Sequence, residues 1–319
     1  MRFTFSKLKR SSQYTALLII VFCFRVFIYL KWVATPSADL VYTMVNVNAT
    51  KLQGDAHLIE VRNGKTVLID AGYLGPAKEK LVPFLKKKKI KKIDIVFISH
   101  PHKDHYEGLL PILDAGILIN EIYFNIPDKA LCDREIPWGC EYKDVLKYHQ
   151  ILKDNAVEIK VVKAGQKFDL GNGAIIKILY VFDGIHTPVG KTDINDLSLI
   201  MMLEQFGHKV LFAGDLNRPI GGYLAENAHD IQAEILKIPH HGTEGAAPNS
   251  FFQAVNPEYA LVPSPSHLWC SERSLRIREW FKKNQIPVFV NGFHGNVKVE
   301  IQKKKLRIIP ENEVINLCR

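Results

Sequence analysis

Phe97–Leu109 reads FISHPHKDHYEGL, placing three histidines, an aspartate, a glutamate and a lysine directly after the apolar run KIDIVF. Imidazoles and carboxylates are ligands that suit zinc and, in such mixtures, manganese. Side chains of an extended chain alternate with period two, so His100 and His102 fall on one side. Asp104 and His105 then begin the turn into the next helix. One short loop can therefore feed two adjacent divalent cations, with His100 and His102 serving one and Asp104 and His105 the other. Two such cations lower the pKa of a bridging water and brace the atom it attacks, which points to hydrolysis by a metal-bound hydroxide.

Later segments supply further donors. Asp215 ends the apolar run HKVLFAGD, where burial of a carboxylate is costly without a cation. His240 and His241 in PHHGT also close an apolar strand. One of the two is expected to ligate a metal and the other to meet substrate, and the sequence does not decide which. Asp104 and His241 are the candidate catalytic residues. Asp70 closes LIDAG and is expected to orient a ligand histidine rather than bind a metal itself. His294 is expected in a β-turn built on Gly295 and Asn296. The run KKKKIKK, Lys86–Lys92, leads into the far end of the strand that reaches His100, so it reads as a solvated basic turn. Trp138, Trp269 and Trp280 are expected in core or loop-anchoring roles. Neither a GxSxG elbow nor a phosphate-binding glycine loop is present.

Something must hold these donors in place. After residue 38 the pattern is strand-rich. LVYTMVNV, AHLIEV, KTVLIDAG, KIDIVFIS, EIYFNI, EIKVV, KFDL, AIIKILYV, LSLIMMLEQ, HKVLFAGD, AEILKIP, PVFVN and NVKVEIQ read as strands. AKEKLVPFLKKKKI, YEGLLPILDAG, CEYKDVLKYHQILKDNA and SERSLRIREWFKKNQ read as helices. Helices separate several of the strands, which implies an α/β protein with two sheets and outer helices.

SHPHKDHYEG resembles the SHxHxDHxGG pattern of the metallo-β-lactamase superfamily. LIDAG resembles the strand end that precedes the family's first helix. NDLSLIMMLEQFGHKVLFAGDL and EILKIPHHGT resemble, more narrowly, the hydrolase domain of ComEC-type DNA-uptake proteins. The resemblance covers about residues 40–300. It implies an αββα sandwich, two mixed sheets flanked by helices with the metals between the sheet edges, and a single catalytic domain. It also implies that Asp215 bridges the metals. Other branches carry a PGHT histidine before the bridging aspartate; here Asn195-Asp196 stands instead, as in ComEC-like members. ComEC-type domains carry a GHP-type stretch before the last helix; here SPSHLWCSER stands there, and the resemblance makes His267 the nearest candidate ligand.

The net charge is +9, yet residues 1–34 hold six basic residues and no acidic one, so the rest of the chain is only slightly basic. The charge therefore says little about nucleic acid. The basic MRFTFSKLKRSSQY followed by the apolar TALLIIVFCFRVFIYLKWVA reads as an uncleaved signal anchor, with a cleaved signal peptide as the runner-up. Residues 1–38 would then form a membrane-anchoring helix, and 39–319 a hydrolase domain outside the cytoplasm, periplasmic or extracellular; an exported soluble form is the alternative. Cys132, Cys140, Cys270 and Cys318 remain beyond the apolar segment and could form disulfides there. Three pairings are open, among them Cys132 with Cys140 and Cys270 with Cys318.

The expected function is metal-dependent hydrolysis, with zinc favoured. A phosphodiester substrate, DNA or a nucleotide, comes first because of the ComEC-type resemblance. A carboxyl-ester, lactone or β-lactam hydrolase on the same centre is the second reading. A non-catalytic surface binding module is the third.

Overall fold

A computed structural model describes residues 38–47, 52–133, 140–182 and 194–318. The expected N-terminal helix and Trp138 lie outside these residues. No helix of the described residues is long and apolar enough to cross a membrane.

The first sheet contains β1 (Leu40–Met44), β2 (His57–Val61), β3 (Thr66–Ile69), β4 (Lys92–Ile98), β5 (Leu118–Phe124), β6 (Glu158–Lys160), β14 (Val297–Gln302) and β15 (Lys305–Pro310). Its order is β15-β14-β1-β2-β3-β4-β5-β6. The second contains β7 (Lys167–Gly171), β8 (Ala174–Tyr180), β9 (Ile200–Gln205), β10 (His208–Phe212), β11 (Ile235–Lys237), β12 (Tyr259–Val262) and β13 (Val288–Val290). Its order is β13-β12-β11-β10-β9-β8-β7. Both sheets are mixed. The run β3 to β6 is parallel in one, and the run β10 to β13 in the other.

Alternation within the strands builds four layers. In β4, Ile95 and Phe97 enter a core shared with Ile176, Met201, Val210 and Phe212 of the other sheet. Val96 and Ile98 point the opposite way, onto Leu81, Leu85, Leu109 and Ile112 of the helical layer. In β10, Val210 and Phe212 face the inter-sheet core, while Leu211 joins Ile220, Phe251, Phe252 and Phe281 on the outer face. Burial on both faces explains why β4 reads as a nearly continuous apolar run. The αββα sandwich is therefore the observed architecture.

Several element readings change. YEGLLPILDAG is broken at Gly108 into Lys103–Tyr106 and Leu109–Asp114. Two helices, Arg218–Asn227 and Asn249–Val255, and two strands, β12 and β15, were not expected. His294 ends the helical turn Asn291–His294 instead of sitting in a β-turn, and its ring is held by the Val290 backbone. The disulfides are Cys132–Cys140 and Cys270–Cys318. Trp269 is buried and Trp280 packs on Phe252 and Phe281, so both serve the core. In the basic run, Lys88 pairs with Glu60 and Lys92 with Asp94, at the end of β4 opposite His100.

Gly108 locks the ligand loop to β3. Its N–H donates to the Gly72 carbonyl at 2.9 Å, and Ala71 N–H donates to the His105 carbonyl at 2.7 Å. A Cβ on Gly108 would lie 2.0 Å from the Ala71 oxygen and 2.6 Å from the Ala77 Cβ. Gly75 has nothing within 4 Å of such a Cβ. Gly108→Ala should therefore cost roughly 1–3 kcal/mol by overpacking, whereas Gly75→Ala should be nearly neutral. Chemical denaturation of both variants checks this, and equal midpoints would contradict the locking role.

Candidate metal centre

The site lies outside the carboxyl ends of parallel strands from both sheets. Asp70 follows β3, and His100, His102, Asp104 and His105 follow β4. Asp215 follows β10, and His240 and His241 follow β11. Parallel strands deliver their following loops to one edge, which is why donors distant in sequence converge.

Asp104, His105, Asp215 and His241 bring one ligand atom each to within 4.8 Å of one another, all four buried. His241 Nε2 lies 3.1 Å from both Asp104 Oδ2 and Asp215 Oδ2. His105 Nε2 lies 3.4 Å from Asp215 Oδ2 and 3.8 Å from Asp104 Oδ1, and makes no hydrogen bond. The other ring nitrogens are tethered. His105 Nδ1 donates to Asp70 Oδ2 at 2.8 Å, and His241 Nδ1 to the Pro263 carbonyl at 3.0 Å. Nδ1 anchored and Nε2 turned inward is the arrangement by which proteins orient metal-binding imidazoles. Asp70 also accepts from Ser99 N–H at 2.7 Å and Ser99 Oγ at 2.8 Å. A second grouping of ligand-type side chains, Asp55, Asp70 and His105, also contains it.

His100 and His102 stand beside this cluster. Their rings face each other with Nε2 and Nδ1 3.0 Å apart, and the His100 and His105 centroids are 4.1 Å apart. Of the adjacent pair, His241 enters the cluster while half-buried His240 lines the cleft, its Nδ1 2.9 Å from Asn217 Oδ1. Both adopt left-handed backbone, φ 50° and 52°, and Gly242 continues at 76°. Such conformations in non-glycine residues store strain and recur at functional sites. His267 is exposed, in a separate surface hollow with Cys270 and Phe293, away from the cluster.

Two residues escaped sequence reasoning. Lys237 is 1% exposed, ion-paired with Asp55, and donates to the Gly214 carbonyl at 2.7 Å. Asp55 Oδ1 lies 3.1 Å from His241 Nδ1. The available signal was a lysine inside the apolar strand ILKI, three residues before the histidine pair.

The electrostatics follow from this crowding. Burial opposes charge on His105 and His241, yet Asp215 with Asp70 and Asp104, or Asp215 with Asp55, prevails, and both pKa values lie well above the ordinary histidine value. Burial also opposes ionisation of Asp215, but His241, His105 and Lys237 hold its carboxyl well below the usual range. His100 is pushed well down by burial and by neighbouring His105. Asp55 and Asp215 outweigh the burial of the Lys237 ammonium and raise its pKa. The cluster thus sets buried carboxylates against imidazoles and one ammonium, a donor set that could hold a metal ion.

Part of the chain matches a known family. Residues 49–121 match the model of the metallo-beta-lactamase superfamily. This stretch of superfamily domain holds His100, His102, Asp104 and His105. The superfamily domain is similar to the ComE operon protein 3 of Bacillus subtilis, with 24% identity over 226 residues, 70% of this chain and 26% of that protein. It is also similar to the endoribonuclease YSH1 of Saccharomyces cerevisiae, with 26% identity over 184 residues, 53% of this chain and 22% of that protein. The chain thus spans about a quarter of the length of these relatives. The crystal structure of the metallo-beta-lactamase fold protein YhfI from Bacillus subtilis shares the fold, with TM-score 0.52 and 16% identity over 79% of this chain and 96% of that one. The chain resembles the ComEC-type hydrolase domain in this match, and its histidine–aspartate cluster is compatible with divalent metal binding.

Asp70 offers a test of the tethering. Asp70→Ala removes the acceptor that fixes the His105 ring and should lower metal affinity about 10–100-fold. Zinc titration against a competing chelator measures this, and an unchanged affinity would show that His105 needs no orienting carboxylate.

Proposed function

We propose that the chain is a metal-dependent phosphodiesterase acting on DNA or a nucleotide, with two divalent cations, zinc or manganese, at this centre. The observation that carries the reading is the convergence of His105 Nε2 and His241 Nε2 on Asp104 and Asp215. A buried imidazole nitrogen without a hydrogen bond, facing two carboxylates, fits a cation better than it fits an apolar core. Asp104, His105, Asp215 and His241 would hold one cation. His100 and His102 would contribute to the second, with Asp215 between the two. Bound there, such cations acidify water and offset charge building on the attacked group.

The protein's own residues supply the rest. Asp70 and Pro263 keep the two imidazoles oriented. The cleft above the centre has a volume of about 570 Å³; Arg218, Asn195 and His240 are in its wall, together with the ion pairs Lys103–Glu141 and Arg273–Glu244. Basic and amide side chains suit phosphate oxygens, whereas an acyl substrate would favour a more apolar wall. His240 would meet substrate, and its Nε2 keeps a lone pair once Nδ1 donates to Asn217. The relative named as an endoribonuclease supports a phosphodiester. The N-terminal basic and apolar segment supports a membrane anchor, and the two disulfides support a location outside the cytoplasm.

The test is hydrolysis of bis-p-nitrophenyl phosphate beside p-nitrophenyl acetate and a chromogenic β-lactam, using full chain loaded with zinc or manganese. Phosphodiester cleavage should lead, and Asp104→Ala should reduce it at least about 100-fold, equivalent to about 2.7 kcal/mol of transition-state stabilisation. Preference for the ester or the lactam would replace the phosphodiester reading. Full activity of Asp104→Ala would remove the centre from the chemistry.

A further inference from the structure

The metal centre just proposed is not symmetric. Asp104, His105, Asp215 and His241 converge as a four-sided cage. Among the described residues, neither His100 nor His102 joins three or more ligand-type side chains whose ligand atoms all lie within 4.8 Å of one another. The shared residue is Asp215, and its two oxygens have different neighbours. Oδ2 faces the cage, 3.4 Å from His105 Nε2 and 3.1 Å from His241 Nε2. Oδ1 faces an ammonium already in place, Lys237 Nζ, at 3.5 Å.

We propose that Lys237 is a built-in cation at the bridging carboxylate, which makes the two metal positions unequal: tight in the cage and weak at His100 and His102. The inference rests on the metal-centre reading above. A lysine buried in the apolar strand β11 is costly unless paired, and its partners are the Gly214 carbonyl, Asp55 and Asp215. Those three contacts fix where the ammonium sits, so it cannot swing away to admit a second ion. A dication shared through Oδ1 would then stand beside a fixed like charge, in a place where burial weakens screening. In the cage, the charges facing the ion are the carboxylates of Asp104 and Asp215, with Asp55 behind His241. Lys237 is thus a positioning residue that acts through Asp215, without touching substrate.

The experiment is metal analysis of the full chain after dialysis against a weak chelator, followed by zinc titration. Wild type should retain one equivalent and bind a second at least about 100-fold more weakly. His100→Ala should keep the retained equivalent and lose the weak one. Removing Lys237 alone would strand a buried carboxylate, so Lys237→Met is combined with Asp55→Asn, with circular dichroism to confirm folding. In that double variant the second equivalent should tighten at least about tenfold, a result that a merely structural ion pair would not produce. Two equally retained equivalents in wild type, or an unchanged second affinity in the folded double variant, would overturn the proposal while leaving the metal centre standing. Absence of retained metal from wild type would overturn the metal centre itself, and the assignment of Lys237 with it. If the double variant does not fold, the wild-type and His100→Ala stoichiometries still decide the inequality.

Discussion

Four carboxylates, Asp55, Asp70, Asp104 and Asp215, are buried at one edge of the molecule, and the surrounding structure answers to their charge. An isolated buried carboxylate is too costly to persist ionised, so each needs hydrogen bonds or a cation. Asp70 is satisfied by Ser99 and His105, whereas Asp55 pairs through Oδ2 with Lys237 and its Oδ1 makes no hydrogen bond. Asp104 and Asp215 face only imidazoles, the Lys237 ammonium and each other's surroundings. The excess of negative charge there is what a divalent metal would balance.

Topology makes this concentration possible. Each sheet contributes a parallel run, and the ligand loops leave from the ends of β3, β4, β10 and β11. Between the sheets, Phe97, Phe212 and Met201 form a dry support directly beneath the loops. Close-packed cores of this kind hold ligand positions to a fraction of an ångström, which catalysis demands. The outer helices contribute less to chemistry than to burial, except Arg218–Asn227, whose first residues border the cleft.

Local signals were the legible ones. HxHxDH is read within six residues, and strand alternation places its donors without any knowledge of distant contacts. Asp215 and the histidine pair were visible because each interrupts an apolar run at its end. The choice between His240 and His241 was not visible, since it depends on a left-handed backbone at both residues. The pairing of Lys237 with Asp55 spans 182 positions in the chain, and a lysine in a short strand resembles an edge residue until the sheet order is known. The helix Arg218–Asn227 was hidden by Pro219, Gly221 and Gly222, which lower helix propensity but here allow close packing on Ala247 and Pro248. β15 alternates weakly because it lies at a sheet edge and is half-buried at most. His267 had the right residue type near the right helix, but the turn Ser266–Trp269 carries its side chain to the surface.

A cation within the cage is what the proposed chemistry requires. Crystals of the full chain grown with zinc, measured on both sides of the zinc absorption edge, locate it directly. The predicted result is an anomalous peak about 2.0–2.2 Å from Asp104, His105, Asp215 and His241. An ordered cage without a peak, or a zinc ion bound only elsewhere, would contradict the central claim.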